Sequence, residues 1–367
     1  MVKTNNPKVT VRIPAYNHEK YIRECLESVL NQTFQDFEIV ITDDGSSDST
    51  VEIIRGFNDT RIRLEVLDKN YGSAYAIENC LKRARGEYVA NLCSDDAWEL
   101  NKLEKQITFL DENPQFDAVF TKVKIIDEDS NPFAGQHFYL HAFEVANRTK
   151  EEWLNHFFYV GNCLCMPSVM IRRSVYEELH YQDKRMASLN DFDFWVRFSL
   201  QRTFYILEDK LTKFRLRANE ANASGSRLDN RIRCLFEYKQ ILNNYLLIKN
   251  PELLLKIFPG CDKYGTVNNA LIPYFLGRLA IDTKAEFKQL WGLETIFNLI
   301  KNENIMETLD KQYGFSYTDF YKFTSEKDVY RLAFIRHHEQ EMYKTKMEME
   351  HLNAAIMDLM NTIKALQ

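Results

Sequence analysis

Four strand-like runs alternate with helix-like segments across the first hundred residues. The runs "VTVRIPAY", "FEIVITDD", "IRLEVLD" and "YVANLC" are short and rich in β-branched residues. Between them, "HEKYIRECLESVLNQ" places Tyr21, Ile22, Cys25, Val29 and Leu30 at a helical period. "GSSDS" supplies turn and cap residues before a helix over residues 50–57, and "GSAYAIENCLKRAR" forms a third helix. Strands joined by helices of this length imply right-handed crossovers and a parallel sheet of an α/β protein.

In such sheets ligands bind beyond the carboxyl ends of the strands. Three of those ends carry notable groups here: Pro14-Ala15-Tyr16-Asn17, Asp43-Asp44 and Asp95-Asp96. Acidic pairs at neighbouring strand ends repel unless they meet a cation or accept hydrogen bonds. A divalent metal, with a polyphosphate as its other ligand, satisfies that requirement.

Composition narrows the classes. The chain has 367 residues, enough for two or three units, and its 45% hydrophobic and 27% charged residues are ordinary for a globular protein. A net charge of −6 argues against a general nucleic-acid partner. No stretch is apolar for long enough to cross a membrane, and the N-terminus lacks the apolar core of a signal peptide. The seven cysteines are scattered, and Cys163-x-Cys165 is not zinc-ligand spacing. Reduced thiols in the cytoplasm are expected, with room for peripheral attachment at the inner face of a membrane.

Beyond residue 114 the pattern loosens. "FDAVFTKVKIID" reads as strand, "MPSVMIRRSVYEELH" as strand then helix, and "LNDFDFWVRFSLQ" as an amphipathic helix opening on acidic residues. After Cys234 the pattern is strongly helical. In the last 33 residues Ile335, His338, Met342, Thr345, Met349, Leu352, Ile356, Leu359, Ile363 and Leu366 follow spacings of three and four. That seam predicts a coiled coil that joins copies of the chain into a homo-oligomer or docks a partner. The division expected is 1–225 for the α/β domain, 226–330 for a helical region and 331–367 for the coil.

These motifs carry a family likeness. The stretch from "VTVRIPAYN" to "DDGSSDST", continued by "NYGSAYAIENCLKRARGEYVANLCSDDAWELNKLEKQ", resembles the family 2 glycosyltransferases. The resemblance covers roughly the first 60% of the chain and is most specific in its first hundred residues. It implies a GT-A fold and an inverting enzyme that transfers a hexosyl or N-acetylhexosaminyl group. The donor implied is a nucleotide-sugar, UDP-linked. The acceptor is a glycan or lipid-linked glycan of surface polysaccharide assembly.

The resemblance also assigns roles. Pro14, Ala15, Tyr16 and Asn17 with Asp43 and Asp44 hold the nucleotide: Tyr16 offers a ring for stacking, and Asp43 can accept the imide N–H of uracil. Lys69, Gly72 and Ser73 form a donor-contacting loop. Asp95 and Asp96 match the family's metal site, for Mn²⁺ or Mg²⁺, with Cys93 standing where many members have a further acid. Asp191 takes the place of the catalytic base, with Asn190 replacing a usual glutamate and Asp193 two residues on as its rival. Arg217 stands where histidine is common, and an arginine there can contact the diphosphate directly.

Two other readings stay open. A nucleotidyltransferase shares strand-end acids but carries a glycine-rich phosphate loop after the first strand, which "PAYN" is not. A catalytically inactive glycan-binding scaffold is favoured by Cys93, Asn190 and Arg217, and opposed by the intact Asp95, Asp96 and Asp191.

Overall fold

The computed structural model describes residues 6–180 and 182–366 and divides into two compact units, Met1–Gly260 and Cys261–Gln367. The first unit is built on an eight-stranded sheet. Its strands are β1 (Val9–Ala15), β2 (Phe37–Asp43), β3 (Ile62–Val66), β4 (Tyr88–Asn91), β5 (Ala97–Trp98), β6 (Ala118–Ile126), β7 (Met170–Arg172) and β8 (Phe204–Arg215). They lie in the order β3-β2-β1-β4-β7-β6-β8-β5.

The expected parallel core is present: β3, β2, β1 and β4 run the same way. All seven residues of β2 are buried, as a strand covered on both faces requires. The second half is mixed. β7 is antiparallel to both of its neighbours, and β8 is parallel to β6 but antiparallel to the two-residue β5. β5 lies in the loop after β4, too short to leave any period in the sequence.

Helices flank the sheet. Ile22–Leu30 buries Ile22, Cys25 and Val29 of the stripe its spacing predicts, and Leu26 besides, in one core cluster with Val11, Ile13, Ile39 and Ile41, while Leu30 is only partly buried. Ser73–Arg83 and Lys102–Glu112 follow β3 and β5. Asn190–Ser199 precedes β8, and Leu228–Ile241 groups with the first unit. Because β2, β1 and β4 are adjacent and parallel, their carboxyl ends reach one edge. Ala15 pairs with Asp43 across β1 and β2, and Arg12 pairs with Asn91 across β1 and β4.

The second unit is helical, with Ile272–Ile281 packed on Glu286–Leu299, then Glu303–Tyr313 and Tyr317–Glu326. It ends in one helix, Leu332–Ala365. No helix among the described residues is long and apolar enough to cross a membrane.

Candidate active site

The two acidic pairs are satisfied in different ways. Asp43 closes its own turn: one oxygen accepts from the Ser46 N–H at 2.8 Å and the other from the Ser46 hydroxyl at 2.5 Å. Asp44 accepts from the Tyr71 and Gly72 N–H groups at 2.7 and 2.9 Å, which ties the loop after β3 to the end of β2. Burial pushes the Asp44 carboxyl above its usual range, and these two N–H groups oppose the shift. Gly45 sits between the two loops with φ +74°, and a Cβ there would lie 2.6 Å from the Lys69 carbonyl carbon.

The loop after β1 packs on the same turn. The Asn17 N–H donates to the Ser46 hydroxyl at 2.9 Å, and its side-chain oxygen accepts from the Ser47 N–H at 2.8 Å. Pro14 and Ala15 are the last residues of β1, and the Tyr16 ring beyond them is 43% exposed, free to stack on a planar ligand. Lys69 is exposed, its ammonium over the Tyr71 ring at 5.0 Å, while Gly72, at φ +94°, and Ser73 open the next helix. Pro14 to Asn17, Asp43, Asp44, Lys69, Gly72 and Ser73 thus form one linked rim.

Asp95 and Asp96 lie beyond β4 and are both buried. The Arg215 N–H donates to Asp96 Oδ1 at 2.8 Å, and its Nε donates to the Asp95 carbonyl at 2.7 Å. Two further groups approach the Asp95 carboxylate at Oδ2: His18 Nε2 and Arg217 Nη1, each at 3.8 Å. Burial, then the charge of Asp95, pushes the Asp96 carboxyl well above its usual range. Cys93, Asp95 and Asp96 each bring one donor atom within 4.8 Å of the others, the only such grouping among the described residues. Burial and both carboxylates drive the Cys93 thiol upward, so it stays protonated. The two carboxylates therefore make an oxygen site that fits a hard divalent cation, with the thiol a poor third ligand.

Asp191 opens the helix Asn190–Ser199. Its Oδ1 accepts from the Phe192 N–H at 2.7 Å and its Oδ2 from Asn162 Nδ2 at 3.1 Å. Burial raises the carboxyl to about 6, with those two bonds opposing the rise. The charges of Asp191 and of Asp96 both help to raise the Cys93 and Cys165 thiols, which places the two carboxyls within electrostatic reach of the same thiols. Asp193, the rival, is spoken for: it pairs with Arg197 at 2.8 Å and accepts from Asn244 at 2.8 Å.

Three contributors are missing from the sequence reading. His18, Asn162 and Arg215 act on Asp95, Asp191 and the loop of Asp95–Asp96. Two had local signals: His18 follows the "PAYN" loop directly, and Asn162 follows Gly161, whose φ is +119°.

The glycosyl transferase family 2 model matches residues 10–179. A Methanocaldococcus jannaschii protein named uncharacterized glycosyltransferase MJ1057 is 31% identical over 217 residues, covering 58% of this chain and 72% of its own. This chain belongs to glycosyl transferase family 2. Another similar glycosyltransferase, GlyG of Streptococcus pneumoniae, is 29% identical over 216 residues, covering 55% of this chain and 66% of its own. Among solved structures, S. aureus TarS 1–349 in complex with UDP-GlcNAc superposes with a TM-score of 0.54 at 21% identity. That alignment covers 89% of this chain and 92% of that one, and it establishes a shared GT-A fold.

Proposed function

We propose that this family 2 enzyme transfers a sugar from a UDP-linked donor to a hydroxyl of a glycan acceptor in surface polysaccharide assembly, with inversion at the anomeric carbon. The observation that carries the reading is Asp191. It is a buried carboxyl held by Asn162, raised to about 6, and within electrostatic reach of the same thiols as Asp96. A carboxylate poised in that range is ionised at neutral pH and basic enough to take a proton.

The steps divide among the chain's residues. Tyr16 stacks on the base, and each Asp43 oxygen, having accepted one bond, keeps a lone pair for the imide N–H of uracil. Asp95 and Asp96 would hold Mn²⁺ or Mg²⁺, and that ion supplies positive charge against the departing diphosphate. Arg217 adds a fixed cation on the same side. Asp191 accepts the proton of the acceptor hydroxyl as its oxygen attacks the anomeric carbon and the bond to the diphosphate breaks. No nucleophile on the enzyme is required.

In this reading residues 1–225 hold the donor chemistry, and the work is done in the cytoplasm, at the inner membrane face when the acceptor is lipid-linked. The test is nucleoside diphosphate release from UDP-, GDP- and dTDP-sugars with Mn²⁺, Mg²⁺ or EDTA, beside Asp96→Ala and Asp191→Asn. Metal-dependent turnover of a UDP-sugar, lost in both variants, is expected. Turnover that survives Asp191→Asn would remove the base assignment.

A further inference from the structure

The helix Leu332–Ala365 runs for 34 residues without one buried side chain. A helix of that length is about 51 Å long, and helices in water owe most of their stability to packing an apolar face. The branched aliphatic residues of its C-terminal half fall on one seam all the same. Ile356 and Ile363 occupy the a positions of successive heptads, Leu352, Leu359 and Leu366 the d positions, and all five are between 45% and 83% exposed. Nothing in the catalytic reading uses this seam.

We propose that a second copy of this chain covers it, forming a parallel, in-register, two-stranded coiled coil. The core composition gives the strand number: β-branched residues at a with leucine at d favour two strands. The flanking charges give the direction. In this register Glu341 is a g residue and Lys346 the e residue that follows, both exposed. A parallel, in-register pair sets Glu341 beside the partner's Lys346, twice by symmetry. An antiparallel pair centred on the helix sets g against g and e against e, and leaves both charges facing the uncharged Ala355 and Asn353. The first heptads carry His338 and Thr345 at d, so the C-terminal half holds the pair together. Because both chains enter such a coil from the same end, two catalytic units are tethered to one another, and a repeating glycan can engage both.

The full chain should sediment as a dimer at micromolar concentration, and Ile356→Asp with Leu359→Asp should make it a monomer with its thermal unfolding midpoint unchanged. Leu366→Cys should give a covalent dimer on mild oxidation, above the background of the unsubstituted chain, because only a parallel, in-register pair brings that position beside its copy. Lys346→Glu should weaken the dimer roughly three- to tenfold, and the swap Glu341→Lys with Lys346→Glu should restore it. A monomeric or trimeric full chain overturns the proposal. So does a dimer in which Leu366→Cys does not crosslink, or one that the charge swap leaves as weak as the single variant.

Discussion

Arg217 Nη1 lies 2.9 Å from His18 Nε2, and both stand 3.8 Å from the same oxygen of Asp95. A guanidinium only donates, so His18 Nε2 accepts and the ring proton sits on Nδ1, which donates to the Ser94 hydroxyl at 2.7 Å. Burial holds the His18 pKa below its ordinary value, against the pull of Asp95, and keeps the ring neutral. Of these two groups, Arg217 carries the lasting positive charge. Its guanidinium is only partly buried, and its Nε has no hydrogen-bond partner in the protein.

Arg217→Ala should therefore weaken UDP binding by about ten- to a hundredfold, the worth of one or two charge-assisted bonds. Arg217→Lys should recover only part of the loss, since a point charge replaces a planar fork. Titration calorimetry with UDP and Mn²⁺ measures both. Unchanged affinity in Arg217→Ala would remove the residue from the donor site.

The rate should follow the ionisation of Asp191. A general base works only when deprotonated, and burial places this carboxyl at about 6. Activity should rise as pH climbs through 6 and fall about tenfold per unit below it. The Asn162 hydrogen bond lowers that value, so Asn162→Ala should move the acid limb toward higher pH. Asp191→Asn should cost ~10²–10⁴-fold in kcat with donor affinity intact. An acid limb that stays in place in Asn162→Ala would detach it from Asp191.

Metal dependence should be readable without turnover. Asp96 is a buried carboxyl pushed up by burial and by Asp95, so a cation relieves a cost that the folded chain carries. Mn²⁺ at a hundredfold excess over Kd stabilises by about 2.7 kcal/mol, a rise of roughly 5 °C in unfolding midpoint, and Asp96→Asn should lose most of it. Cys93→Asp adds a third acid to the cluster. It should lower the midpoint in EDTA and widen the gap between EDTA and Mn²⁺. A narrower gap would place the metal elsewhere.

The rim was legible in the sequence because it is local. Each strand end writes its functional residues next to a run of buried β-branched residues, and three parallel strands must bring their ends to one edge. Asp191 was reachable only through the family likeness, since its partner Asn162 and its neighbours Cys93 and Cys165 come from distant loops. His18 meets Arg217 across 199 positions, a separation no periodicity encodes. Among strands, β1 to β4 were plain from alternation with helices. The two-residue β5 and the reversal at β7 were not, because pairing direction there is set by tertiary contacts rather than by a crossover helix.

Arg215 ties these distant pieces together, and its loss should be felt in stability first. Its side chain is buried at the end of β8 and donates from Nε to the Asp95 carbonyl, from Nη1 to the Asp127 carbonyl at 2.9 Å and the Ser130 hydroxyl at 2.9 Å, and from Nη2 to Glu24 at 2.5 Å. Glu24 can turn to water, since its side chain is 37% exposed, so losing its arginine partner costs Glu24 little. The buried Asp95 carbonyl cannot, and an unpaired buried acceptor costs about 1–3 kcal/mol. Arg215→Ala should cost ~3 kcal/mol in all, from the orphaned carbonyls and the space left by the guanidinium. Because Asp96 is held by the Arg215 backbone N–H rather than the side chain, metal affinity should fall less than it does in Asp96→Asn. Urea unfolding and a Mn²⁺ titration of the same variant separate the two effects. A variant as stable as the parent would mean that the Asp95–Asp96 loop holds its shape without this arginine.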